Sequence, residues 1–76
     1  MTEIVVARKS ENEPFYAVAR VEKDYAVHYG FEAVEAADKW ARKVARRFIT
    51  NQRRLCKVAG VQHEWTLPER CSVEEA

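Results

Sequence analysis

Hydrophobic and polar positions alternate along the first third of the chain, then give way to a longer period. Ile4, Val5, Val6 and Ala7 form an apolar, mostly β-branched run within residues 2–9, which predicts a first strand. Ser10 to Pro14 is a polar break, and its proline suits a turn or the start of a strand. Alternation is strict from Phe15 to Val21. Phe15, Ala17, Ala19 and Val21 share one face, and Tyr16, Val18 and Arg20 share the other. Glu22, Lys23 and Asp24 form a charged turn. A third run then places Tyr25, Val27, Tyr29 and Phe31 on one side, with Ala26, His28 and Gly30 between them. Three antiparallel strands are expected.

From Phe31 to Lys57 the spacing predicts one long amphipathic helix. Ala37, Trp40, Ala41, Val44, Ala45 and Phe48 recur on its apolar side, suited to packing on a sheet. Lys39, Arg42, Lys43, Arg46 and Arg47 fall at i, i+3, i+4, i+7 and i+8 on the opposite side, and Arg53, Arg54 and Lys57 prolong the stripe. Glu32, Glu35 and Asp38 oppose the positive end of the helix dipole. The pattern weakens at Thr50 and Asn51, where a kink or an end is expected before a second short segment. Gly60 suits a terminator. Val61, His63, Trp65 and Leu67 alternate again, as a short fourth strand or an extended arm laying Trp65 on the core.

The expected fold is therefore α+β, a three- or four-stranded antiparallel sheet covered on one face by one helix. Residues 1–67 would form the domain and residues 68–76 an acidic, loose tail. Phe15, Val21, Val27, Phe31, Trp40, Val44 and Phe48 are expected inside.

Seventy-six residues suffice for one domain, and a chain of that size buries only about 60% of its unfolded surface. An apolar fraction of 47% beside 33% charged residues is that of a globular chain rather than a disordered one. No apolar run reaches the roughly 18 residues of a membrane span, and no signal-peptide pattern opens the chain, so a cytoplasmic protein without membrane contact is expected. Cys56 and Cys71 are too few for a disulfide framework and read as free thiols. The formal net charge of +1 is unevenly spread. Residues 32–57 carry eight basic groups against three acidic ones, while both flanking segments are net acidic.

Catalysis and cofactors find no support in the pattern. The only glycines are Gly30 and Gly60, so no phosphate-cradling loop exists, and no catalytic residue is assigned. Cys56, His63 and Cys71, with His28, lack the closely spaced cysteine pair of a zinc knuckle, so no metal is expected. The basic stripe is the candidate site: Lys39, Arg42, Lys43, Arg46, Arg47, Arg53, Arg54 and Lys57. Five of these are Arg, which favours forked contact with phosphate or carboxylate. The competing interpretation is a solvated outer face whose cations suit the negative helix end. Tyr16, Arg20 and His28, with Val18, form a second candidate surface on the open face of the sheet. The expected partner is a protein or nucleoprotein complex, with direct DNA or RNA binding as the alternative. Glu69, Glu74 and Glu75 are expected to fold back and mask the stripe. Oligomeric state is not legible.

The run Phe15-Tyr16-Ala17-Val18-Ala19-Arg20-Val21, then Phe31, then Glu35-Ala36-Ala37-Asp38-Lys39-Trp40 resembles the amino-terminal arm-binding domains of tyrosine integrases. Such a resemblance implies a three-stranded sheet packed on one helix, with the sheet face entering a DNA groove through Lys and Arg. Arg20 and Lys23 stand on that part of this chain. Size, polarised charge and the lack of a catalytic motif are also similar to those of small phage-encoded inhibitors of the anti-CRISPR kind.

Overall fold

The strict alternation of Phe15–Val21 sets the architecture. In the computed structural model, which describes residues 1–75, this segment is β2, flanked by β1 (Thr2–Arg8) and β3 (Asp24–Phe31). Both neighbours run antiparallel to it. A single helix, α1 (Val34–Ala59), follows β3, and a short β4 (Ser72–Glu75) completes a sheet of order β3-β2-β1-β4. The architecture is the α+β arrangement expected, except that β4 pairs parallel to β1, so the sheet is mixed.

Ile4 and Val6 from β1 and Phe15, Ala17, Ala19 and Val21 from β2 are buried on the helix side. Each large member contributes about 1.5–3 kcal/mol by leaving water. On α1 the buried positions are Ala37, Ala41, Ala45 and Ile49, successive i+4 neighbours on one stripe. Alanine thus meets alanine where α1 crosses β2, and small side chains on both surfaces let the helix lie close to the sheet. Trp40, Val44, Phe48 and Phe31 pack around that seam, partly rather than fully buried.

The phase of β3 departs from expectation. Val18 pairs with Val27 and Tyr16 with Tyr29, so Val27 lies on the open face and is not a core residue. Phe15 pairs with Phe31, which leaves Gly30 as one extra residue on β3. Its φ of +99° is available to glycine at little cost. This bulge switches Phe31 back to the helix side.

The helix begins at Val34, after Phe31 has closed β3, and it runs unbroken through Thr50 and Asn51. The Thr50 hydroxyl donates to the carbonyl of Arg46 at 3.0 Å, a bond made within the helix rather than against it. Gly60, at φ +72°, ends the helix. Val61 N–H donates to Cys56 O at 2.9 Å and Gly60 N–H to Lys57 O at 3.3 Å, the paired bonds of a Schellman stop.

Twenty-six helical residues extend about 39 Å, whereas strands of seven or eight residues extend about 25 Å. The last turns therefore overhang the sheet. Leu55, about five turns beyond Ala37 on the same side, is exposed, as are Val58 and Val61.

Residues 61–71 return as an extended strap, with no strand at Val61–Leu67. Trp65 is buried on the core, as the alternative of an extended arm requires. The Thr2 hydroxyl donates to Thr66 O at 2.6 Å. Arg42 donates to Pro68 O at 2.8 Å and to Glu69 O at 2.9 Å. The segment expected to be a loose tail instead enters the sheet as β4, and its last residue, Ala76, lies outside the described residues.

Candidate interaction surface

The outward side of α1 is set by the inward one. Once Ala37, Ala41, Ala45 and Ile49 face the sheet, Lys39, Lys43, Arg46, Arg47, Arg54 and Lys57 are left exposed. None of the six pairs with a carboxylate among the described residues. From Lys39 to Lys57 they span about 27 Å of rod.

Two members of the expected stripe behave differently. Arg53 is exposed, and its guanidinium meets the carboxylate of Glu64 at 2.9 Å. Arg42 is a correction. Its side chain is only 20% exposed, its Nε donates to Asp38 Oδ2 at 2.9 Å, and its two remaining nitrogens hold the strap carbonyls. Position 42 lies on the flank of the helix where the strap crosses, so its charge is spent inside the molecule.

The open face of the sheet also differs from expectation. Tyr16 and Arg20 lie there, with Arg20 Nε donating to Glu22 O at 3.3 Å. His28 does not. It pairs with Ala17 and therefore faces the helix, its ring 5.4 Å from Trp40 and 5.3 Å from Phe31. Its Nδ1–H donates to Tyr29 O at 2.8 Å. In its place the open face presents Tyr25, Val27 and Tyr29, with Tyr29 tilted against Tyr16 at 5.2 Å. Sequence alternation had grouped these three with Phe31 on one side and had put Val27 inside, and Gly30 in a strand was the signal for the change of phase.

Glu74 pairs with Ala7, which places it on the same open face as Tyr16. From there it cannot cover the cations of α1. Glu69 reaches the helix through its backbone carbonyl to Arg42, and its side chain is exposed.

A shallow cleft of about 670 Å³ separates the end of α1 from the start of the strap, lined by Arg53, Cys56, Lys57, Val61, His63 and Glu64 among others. Cys56 and His63 share it. Cys71 lies at the other end of the strap, beside Asp38, where burial and then the Asp38 carboxylate push its thiol pKa up. Cys56 stands 14 residues beyond Arg42, about 21 Å along the helix, too far for a bridge whose Cα atoms must approach within about 7 Å. Both cysteines are free. Among the described residues no group of three His, Cys, Asp or Glu side chains is gathered as a metal ion would need, and no helix is long and apolar enough to cross a membrane.

The chain matches no protein-family model, no curated protein and no solved structure.

Proposed function

We propose that this is a non-enzymatic binding protein, an accessory regulator or inhibitor of the type carried by phages and mobile elements, that docks through α1 and sterically blocks a protein or nucleoprotein complex. One observation carries this reading: Lys39, Lys43, Arg46, Arg47, Arg54 and Lys57 are exposed together on a rigid rod, without internal carboxylate partners among the described residues. Where α1 lies on the sheet its backbone is already ordered, which lowers the ordering cost of presenting Lys39, Lys43, Arg46 and Arg47 on binding. An acidic protein patch fits such a row, because Arg forks engage carboxylates in pairs and opposite potentials steer the encounter. The exposed Val58, beside Arg54 on the outward side, adds apolar contact at the overhanging end.

The test is affinity capture with the folded protein as bait, in parallel with an Arg46→Glu/Arg47→Glu variant. A stoichiometric partner lost with the variant supports docking through α1. A partner retained by the variant would refute it.

A second reading, direct DNA or RNA binding, is favoured by the length of the row. About 27 Å of cations meets several phosphates spaced about 3.4 Å apart along one strand. It requires a mobility shift with nucleic acid alone at low salt, and an affinity falling with a slope near −0.9 per phosphate contact on duplex DNA. No shift at low salt excludes it and leaves the protein-docking reading intact.

A further inference from the structure

Along the flank of α1 opposite the strap, Trp40, Val44, Arg47, Asn51, Arg54 and Val58 follow one another at intervals of four, three, four, three and four residues. That 3.5-residue period is the seam along which one helix lies against another. Trp40 fixes which flank this is. Its ring is 5.4 Å from His28 and 5.9 Å from Phe31 of β3, while Arg42, on the far side, holds the strap. Trp40 and Val44 are half-buried, and the other four seam residues are exposed. At the middle of the line Arg47, Thr50, Asn51 and Arg54, together with Phe48, line a shallow hollow of about 410 Å³. Positions i, i+3, i+4 and i+7 are the four corners of the hole that receives one side chain of a facing helix.

We propose that this seam docks a helix of the partner protein, apolar toward its ends and acidic at its centre, with a Glu side chain seated in the hollow. The inference rests on the reading of α1 as a protein-docking surface and names what docks there. Charge chooses the occupant. Glu35 and Asp38 are the only acidic residues on α1, neither is on the seam, and Asp38 is tied to Arg42. Neither Arg47 nor Arg54 meets a carboxylate among the described residues. A second copy of α1 would bring two more guanidinium groups to these two and no carboxylate to separate them, a juxtaposition that costs affinity. A partner carboxylate instead meets two forked donors about 10.5 Å apart along the axis, with the Asn51 amide between them. Trp40 and Val44 at one end of the seam and Val58 at the other give apolar residues of a docked helix somewhere to leave water, which a phosphate backbone has no use for. From Trp40 to Val58 the seam runs about 27 Å, so the docked helix has about five turns.

The probe is a labelled, stapled peptide of about 20 residues with Leu at its outer seam positions and Glu at its central ones, titrated with the whole protein to about 1 mM and read by fluorescence anisotropy. It should bind the wild type, and an isomer with the Glu residues moved to the opposite side of the peptide helix should bind about tenfold more weakly or worse. Arg47→Ala/Arg54→Ala should weaken binding by about tenfold or more, whereas Lys39→Ala/Lys57→Ala, which removes the same charge beside the seam, should change it by less than about threefold. All four positions are exposed and alanine suits a helix, so the circular dichroism spectrum should not change. Equal losses from the two pairs, or equal binding of the two peptides, overturn the seam and leave docking through α1 standing, because the cations then act as a diffuse field. A captured partner that survives Arg46→Glu/Arg47→Glu removes both. No binding of the peptide overturns the proposal, and a mobility shift with duplex DNA alongside that result assigns the row to phosphates.

Discussion

The indole Nε1–H of Trp65 donates to Oε1 of Glu22 at 2.8 Å, joining the strap to the β2–β3 turn across 43 residues of sequence. Glu22 is the first of two residues linking Val21 to Asp24, and its φ is +54°. Hairpins with that sign at that position ordinarily use glycine. The strain, of order 1–3 kcal/mol, is held by the contacts around it. Its N–H donates to Met1 O at 2.9 Å, and its carboxylate takes the Met1 ammonium as well as the indole. A residue unfavourable for the turn is thereby the one that pins the strap.

Stability should fall in acid through this group. The Met1 ammonium and then the Trp65 indole hold the Glu22 carboxyl below its ordinary value of 4.5. A depressed folded pKa means that the unfolded chain takes up the proton first. The contribution is thus complete above the ordinary glutamate range and lost as pH falls through the lowered folded value. Urea midpoints of the wild type and Glu22→Gln should differ at neutral pH and converge in strong acid. A pH-independent difference would mean that the charge plays no part.

Arg42 should behave as a structural residue, unlike its neighbours on the helix. Arg42→Lys keeps the charge but cannot serve Asp38 and two carbonyls together, so either Arg42→Lys or Arg42→Ala should cost about 1–3 kcal/mol. Lys43→Ala, at an exposed site, should stay within about 0.5 kcal/mol of wild type. Thermal unfolding of the three variants decides. Equal losses at positions 42 and 43 would remove the distinction between strap anchor and contact surface.

How much of this was legible depends on which physics set each element. β1 follows from its β-branched run, and β2 and the apolar stripe of α1 follow from periodicity, because one face of each must leave water. The cation row followed as the complement of that stripe. Arg42 escaped because its partners are the backbone carbonyls of Pro68 and Glu69, and no side-chain pattern encodes a carbonyl. Residues 61–67 were open between a strand and an extended arm since Val61, His63, Trp65 and Leu67 alternate, and the arm is what forms, with only Trp65 buried there. For β4, four residues in parallel pairing with β1 carry too short a pattern to outweigh the acidic composition around them. Val27 and His28 were exchanged between faces because one extra residue inverts every assignment before it.

That last point makes Gly30 testable. A Cβ there would meet nothing within 4 Å, so any cost of Gly30→Ala is one of backbone conformation alone. At φ +99° an L residue should lose about 1–3 kcal/mol. Unfolding midpoints that match wild type would show that the strand closes without the bulge.

The alanine seam should be intolerant of growth. Ala41 has no exposed surface and lies in the same buried cluster as Ala17 and Ala19. Leucine suits a helix nearly as well as alanine, so Ala41→Leu tests packing and not propensity. Pushing the helix off the sheet should cost about 1–3 kcal/mol, read as a lowered denaturant midpoint. Ala36→Leu, at an exposed position of the same helix, should change it little.

Cys71 reports on whether the strap is seated. Burial raises its thiol pKa, and the Asp38 carboxylate beside it raises it further, so at neutral pH it holds less of the reactive thiolate than an ordinary cysteine. In a Cys56→Ser protein, alkylation of Cys71 should be slow at neutral pH and should rise only at a higher pH than for a cysteine peptide. Arg42→Ala frees the strap carbonyls, and release of the segment should bring both the rate and its pH dependence back toward those of the peptide. If Cys71 in the intact strap already reacts as the peptide does, the strap is not held where Arg42 and Trp65 place it, and the exposed cations would then no longer be the whole outward surface of α1.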